Sequence, residues 1–174
     1  MLLVFPSEEY EQKAKDFVQE FYDNSSEING DGGLEYYLRE RTYSEWLVKV
    51  RRDIDLANIP EDRAPQLNYF CIREEDGVIV GMVATRLVLN DFLPKEAGHI
   101  GYCVRPSERR KGYATFMLTN ALAFLRRIGQ NNIIIICDAS NVASAGVIRK
   151  CGGILETEFY SDTFQTNVQK FCMK

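Results

Sequence analysis

Residues 99–127 constrain the fold more than any other part of the chain. "HIGYCV" has strand composition, "RPSERRKGYA" (105–114) is a tight basic turn, and a helical pattern follows at once. Ala114, Met117, Leu118, Ala121, Leu122 and Leu125 lie on one helical stripe, with Arg126 and Arg127 in the last turn and Gly129 as terminator. The turn is costly in itself. Arg109, Arg110 and Lys111 repel one another, and Gly112 costs the helix about 1 kcal/mol relative to Ala. Its justification is sought outside the chain. The first N–H groups of a helix lack internal partners and carry the positive end of its dipole, which makes an anion site. Gly112 lets an anion reach the backbone, Ala114 keeps the next turn narrow, and the three cations add charge. The expected anion is phosphate, more than one. On six residues alone, a solvated turn before an ordinary helix is the open alternative.

Residues 2–5 predict a short buried strand ended by Pro6. Ser7 is placed to cap a helix whose first turn carries Glu8 and Glu9, with Tyr10, Ala14, Phe17, Val18 and Phe21 at helical spacing. "NSSEINGDGG" reads as a flexible polar connection. A helical stretch starts near Leu34. Thr42 and Glu45 form a capping-box pattern ahead of Trp46, Leu47, Val50 and Ile54, and Pro60 marks the stop.

From residue 67 the period changes. "LNYFCIR" and "VIVGMVATRLVL" predict strands joined through "EEDG", where Gly77 supplies a positive φ. The loop "NDFLPKEAG" leads to the strand and turn described first. "IIIIC" is continuously apolar, as for a strand covered on both faces. "SNVASAGVIRK" predicts a second helix closed by Gly152 and Gly153, and strands near 154–160 and 164–172 end the chain. The order is β, helices, β-β-β, α, β, α, β-β, a mixed sheet with helices on its faces and a single domain over 1–174.

Net charge is −4 and the pI about 5.2, which argues against non-specific binding to nucleic acid or anionic membranes. Five scattered cysteines (71, 103, 137, 151, 172) and one histidine, His99, form no metal-binding spacing, so no metal is expected. Reduced thiols point to the cytoplasm. "MLLVFP" lacks the features of a signal peptide, and no apolar run has membrane-spanning length.

The turn is neither a P-loop nor the G-x-G-x-x-G fingerprint. It resembles the Arg/Gln-x-x-Gly-x-Gly/Ala signature of the GNAT acetyltransferase superfamily. The likeness extends through "GYCVRPSERRKGYATFMLTNAL" and "IIIICDASNVASAGVIRKCGG", including an Asn-x-x-Ser, and the element order across 1–174 matches. The wording is especially similar to bacterial GNAT proteins described only as acetyltransferases by prediction.

That resemblance implies an α/β fold with a mostly antiparallel central sheet of about seven strands, flanked by helices on both faces. It implies acetyl-CoA as co-substrate. Strands "GYCV" and "IIIICD" would splay around the pantetheine arm, with Cys103 and Val104 offering backbone groups. Arg109, Arg110, Lys111, Gly112, Tyr113, Ala114 and Thr115 would line the pyrophosphate, and Asn141 and Ser144 would touch the cofactor. Ser140 or Asn141 as a simple helix cap, Asp138 as a turn residue and Cys103 as a packing residue are the structural alternatives.

Acyl transfer needs a neutral amine, so a base is expected. His99 is the side chain that titrates near neutrality, and Glu96 is its substitute. The family often carries a Tyr four residues after the Ser to protonate the leaving thiolate. Here that position is Ile148, with Tyr102, Tyr113 and Tyr160 as replacements. The acceptor would be a small-molecule or peptide amine, in a pocket drawn from residues near 25–35, 90–98 and 160–165. Glu27, Asp31, Glu35, Asp91, Glu96 and Asp162 there suit a cation. A homodimer is compatible with the resemblance. The missing Tyr supports a second function, a catalytically weak acyl-CoA-binding or sensing module. Nucleic-acid binding through the basic turn conflicts with the acidic balance.

Overall fold

A computed structural model describes residues 1–55, 64–89 and 98–173. Strand β1 (Leu2–Val4) leads through a 3-10 turn (Glu8–Tyr10) into α1 (Glu11–Asp23), α2 (Leu34–Glu40) and α3 (Tyr43–Arg52). Then come β2 (Gln66–Ile72), β3 (Ile79–Arg86), β4 (Ile100–Val104), α4 (Tyr113–Arg127), β5 (Ile133–Asp138), α5 (Val142–Lys150), β6 (Gly153–Ser161) and β7 (Thr166–Met173). The expected element order holds throughout.

Local signals explain several boundaries. Thr42 accepts the Glu45 N–H while the Glu45 carboxylate takes the Thr42 N–H, so the capping box starts α3 as expected. Gly77 turns the β2–β3 hairpin at φ +67° and Gly129 ends α4 at φ +91°. Ser7 does not cap, because a 3-10 turn precedes α1 and its hydroxyl bonds the Glu9 carboxylate instead. Helix α3 ends at Arg52, and Pro60 lies outside the described residues.

The seven strands form two antiparallel sheets, ordered β1-β2-β3-β4 and β5-β7-β6. Among the described residues they meet at one bridge, Gly98 to Ile135, reinforced by the His99 N–H donating to Ile134 O at 2.7 Å. Beyond that junction β4 and β5 share no ladder among the described residues, so the surface is split there.

One core cluster packs Met117, Leu118, Leu122 and Leu125 of α4 and Ile148 of α5 against Val83, Ile100, Ile135 and Phe171 of both sheets. This continuous apolar layer holds the halves together where the ladder does not. A second cluster, with Phe17, Trp46, Phe70, Met82 and Cys103, lies under α1 and α3. Strand β5 is less covered than its run of isoleucines suggests: Ile133, Ile135 and Cys137 are buried, Ile134 and Ile136 only half-buried. As the border strand at the split, it fully buries only the face joined to the α4/α5 core.

The segment expected to be a loose connection is a tight strap. A Cβ on Gly30 would come within 2.3 Å of the Tyr102 amide nitrogen, and one on Gly32 within 1.9 Å of Asn68 Oδ1. Both glycines adopt positive φ. Gly101, Ala84 and Asn68 are cross-strand partners. The strap therefore runs from β4 to β2 over small side chains or none. The carbonyl of Gly32 accepts from Trp46 Nε1 and Lys49 Nζ, tying it to α3.

Candidate active site

At the apex of the split, His99 is 4% exposed and bonded through both its backbone and its ring Nδ1. Its Nδ1 accepts the Ile134 N–H at 3.0 Å, and its own N–H and C=O pair with Ile134 O and Arg86 N. Burial pushes its pKa below the usual value, and the Arg86 charge acts the same way. A neutral imidazole whose one lone pair takes a backbone N–H has none left for a substrate proton. Its side chain pins β4 to β5, a use that the residue type alone could not reveal. Glu96 and Asp91 lie outside the described residues.

Strand β4 hands over to the basic turn, and β5 to the turn before α5. Gly112 sits at φ +90° with nothing within 4 Å of an added Cβ, so backbone angle requires the glycine and the space in front of it is open. The first closed turn of α4 is the Phe116 N–H on Gly112 O, which leaves the Tyr113, Ala114 and Thr115 N–H groups without intrahelical acceptors. Arg110 is exposed and has φ +63°, rare for a residue with a side chain. Three N–H groups without intrahelical acceptors thus face open space beside an exposed arginine, an arrangement suited to an anion.

The cations on this turn are used unequally. Lys111 Nζ bonds the Glu108 carboxylate at 3.0 Å, and Arg73 from the end of β2 reaches the same oxygen at 2.9 Å. Burial pushes the Glu108 pKa up, but the Lys111 and Arg73 hydrogen bonds outweigh it and hold the carboxyl below its usual value. Arg105 pairs with Glu20 of α1, whose other oxygen takes the Ser107 N–H at 2.8 Å. Arg109 turns away from the helix end. Its Nη2 donates to Ser26 Oγ at 2.6 Å, its Nε to Val104 O at 3.3 Å, and its guanidinium lies 5.6 Å from the Phe21 ring centre. Sequence reasoning missed Glu20, Arg73, Glu108 and Ser26. Only Glu108, an acid set among basic residues, carried any local signal.

On the far strand, Asn141 caps α5 through the Ser144 N–H at 2.9 Å, and Asp138 accepts the Ser140 N–H and hydroxyl as a turn residue. Tyr102 and Ser144 meet, Oη to Oγ, at 2.9 Å, so the phenol of β4 reaches the first turn of α5. Burial raises the Tyr102 pKa to about 12, which keeps the phenol protonated at neutral pH. Ile148 is fully buried, its Cγ2 within 2.4 Å of where a Gly153 Cβ would stand. Cys103 faces the α1/α3 core, and burial holds its thiol neutral; it packs rather than attacks. Tyr160 lies on the outer strand β6, mostly exposed, with its hydroxyl on Gln165.

A cavity of about 300 Å³ opens beside the strap, lined by Tyr22, Ser26, Glu27, Ile28, Asn29 and Glu35. Glu35 accepts from the Tyr22 hydroxyl at 2.6 Å and pairs with Arg39. Burial, then the Glu35 hydrogen bond, raises the Tyr22 pKa to about 12. Asp31 is structural, its oxygens taking the Gly33 and Glu35 N–H groups at the start of α2. Asp162 lies apart in the β6–β7 turn, where its carbonyl accepts from Gln165. Among the described residues no group of His, Cys, Asp or Glu is arranged to hold a metal ion, and no helix is long and apolar enough to cross a membrane.

The model of the acetyltransferase (GNAT) family matches residues 33–153. No curated protein matches the sequence. Among solved structures, the fold is similar to a ribosomal-protein-S5-alanine acetyltransferase from Vibrio fischeri, at TM-score 0.67 and 15% identity, over 98% of this chain and 90% of that one. A spermidine N-acetyltransferase variant from Vibrio cholerae gives TM-score 0.62 at 13% identity, over 99% and 94%. A microcin C7 self-immunity acetyltransferase, solved with acetyl-CoA and AMP, gives TM-score 0.69 at 17% identity, over 98% and 89%.

Proposed function

Because the chain belongs to the acetyltransferase (GNAT) family, we propose that it moves the acetyl group of acetyl-CoA directly onto a primary amine. The observation that carries this reading is the split between β4 and β5, from which both strands lead to helix N-termini, with the open face of Gly112 at one of them. The free N–H groups of Tyr113, Ala114 and Thr115 suit a pyrophosphate, and Arg110 and Lys111 add charge beside them. The backbone of Cys103 and Val104, and the side chains of Asn141 and Ser144, would hold the pantetheine arm.

In the reaction the amine nitrogen bonds to the acetyl carbon and the carbon–sulfur bond breaks. The thiolate leaves and takes a proton from Tyr102, whose phenol is protonated and stands beside Ser144. With His99 committed to Ile134, the proton of an amine of pKa about 10 departs through water rather than to that imidazole. The cavity at Tyr22–Glu35, lined by the Glu27 carboxylate and by Glu35 with its Arg39 and Tyr22 partners, suits a cationic acceptor at Glu27. Amine substrates named for the structural neighbours, spermidine and a ribosomal protein, are consistent with that class.

A ligand that binds only the folded state stabilises it by about 2.7 kcal/mol at 100 times its Kd. For a domain of this size that raises Tm by roughly 5–10 °C. Acetyl-CoA and CoA are expected to do so, and ATP and NAD at equal concentration much less. Equal shifts from all of them would reduce the cradle to a general polyanion patch. The buried Ile148 favours a second reading, an acyl-CoA-binding module without turnover, since no phenol can act from that position.

A further inference from the structure

We infer that Arg109 is a positioning residue for the amine side of the site, not a phosphate ligand. Its consequence for catalysis rests on the acetyl-transfer reading above; its geometry does not. Three contacts turn the side chain back from the helix end. Nε holds the carbonyl of Val104, the last residue of β4. Nη2 holds Ser26 Oγ, and the guanidinium packs over Phe21. Phe21 and Ser26 belong to one turn, since the Ser26 N–H bonds Phe21 O at 2.9 Å. Ser26 lines the cavity beside the strap.

One planar fork thus joins the strand expected to carry the thioester to the loop that shapes the acceptor cavity. Only a guanidinium can span these partners while stacking on the ring. A lysine keeps the charge and reaches one of them. Arg110, exposed near Gly112, is left to face an anion, while Arg109 is committed to Val104 O, Ser26 Oγ and the Phe21 ring. Arg109 therefore orders residues 24–30 and sets how well an amine is held.

The test combines CoA titration calorimetry with amide hydrogen exchange of residues 24–30, in the wild type, Arg109→Met, Arg109→Lys, Ser26→Ala and the Arg109→Met/Ser26→Ala double variant. Exchange of the loop is expected to rise about tenfold in Arg109→Met and less in Ser26→Ala, the range of a lost charged hydrogen bond. The double variant adds little to Arg109→Met, and Arg109→Lys rescues only partly. The CoA Kd stays within about threefold throughout, while the KM of the best amine in an acceptor panel rises about tenfold in Arg109→Met. A drop in CoA affinity of about thirtyfold with loop exchange unchanged would make Arg109 a phosphate ligand and overturn the inference. Unchanged exchange in every variant would overturn it too. If Arg109→Met does not fold, Ser26→Ala and Arg109→Lys still decide. Wild-type protein that fails to bind CoA would contradict the acetyl-transfer reading, and the exchange comparison would still judge this one.

Discussion

His99 and Ile134 exchange two hydrogen bonds across the point where the sheet divides: backbone N–H to O at 2.7 Å, and N–H to imidazole Nδ1 at 3.0 Å. The histidine is the apex of the split and is held neutral. Its folded pKa is lowered from 6.5 by burial. The unfolded chain therefore takes up the proton first as pH falls. The stability this group contributes is complete above about pH 6.5 and is lost as pH drops below it toward the folded value. His99→Ala is expected to lose about 1–3 kcal/mol at pH 7.5 by orphaning the Ile134 N–H. Wild type and variant should converge as pH falls from 6.5 in denaturant titrations. A constant difference across that range would show that His99 is not held neutral.

The same geometry predicts the pH dependence of turnover. The kcat/KM for an amine should rise with the pKa of the amine itself, with no limb near 6.5 contributed by the enzyme. Changing to an acceptor of lower pKa should shift the profile by the difference in pKa. A limb near neutrality that stays fixed across acceptors, and vanishes in His99→Ala, would restore the imidazole as base.

Tyr102 offers a second check on the chemistry. Tyr102→Phe keeps the ring and removes the proton donor, so kcat should fall about 10²-fold, the low end for general acid catalysis because a thiolate leaves readily. The KM for acetyl-CoA should hardly change. With a pKa of about 12 the wild-type phenol should give no alkaline limb below pH 10. Ile148→Tyr will not compensate. The position is fully buried against Gly153, and the larger ring would overpack the core at a cost of about 1–3 kcal/mol or more.

Gly112 tests the cradle. At φ +90° any side chain is strained, by about 1–2 kcal/mol, yet an added Cβ meets no atom of the protein. Gly112→Ala should fold with a slightly lower Tm, and Gly112→Glu should also fold. Affinity for CoA should fall moderately in the first and by roughly 10²-fold, about 2.7 kcal/mol, in the second. A folded Gly112→Glu protein with unchanged CoA affinity would remove the pyrophosphate from this turn.

What was legible in the sequence is what is local. The Thr42–Glu45 box, the α4 stripe and the turn glycines are set by residues within a few positions of one another, and the structure repeats them. The basic turn was legible as a strand-to-helix connection for the same reason. Its supports were not. Arg105 meets Glu20 across 85 positions and Arg109 meets Ser26 across 83, distances that a linear pattern does not register. "INGDGG" misled because glycine marks both loose linkers and places where backbones touch; only the nearby Gly101 and Asn68 distinguish them. His99 misled similarly, since its residue type suggests a base while its pairing partner, 35 positions on, makes it a pin.

Acetyl transfer to an amine is read out most directly by the release of free CoA thiol from acetyl-CoA. Purified protein is mixed with acetyl-CoA and a panel of polyamines, amino acids and peptides with free N-termini, and the thiol is followed over time. Thiol release is expected to depend on the amine, to be fastest with cationic acceptors, and to be matched mole for mole by acetylated product. Binding of acetyl-CoA with no amine-dependent release across the panel would contradict it, and would make the chain a binding module built on an acetyltransferase fold.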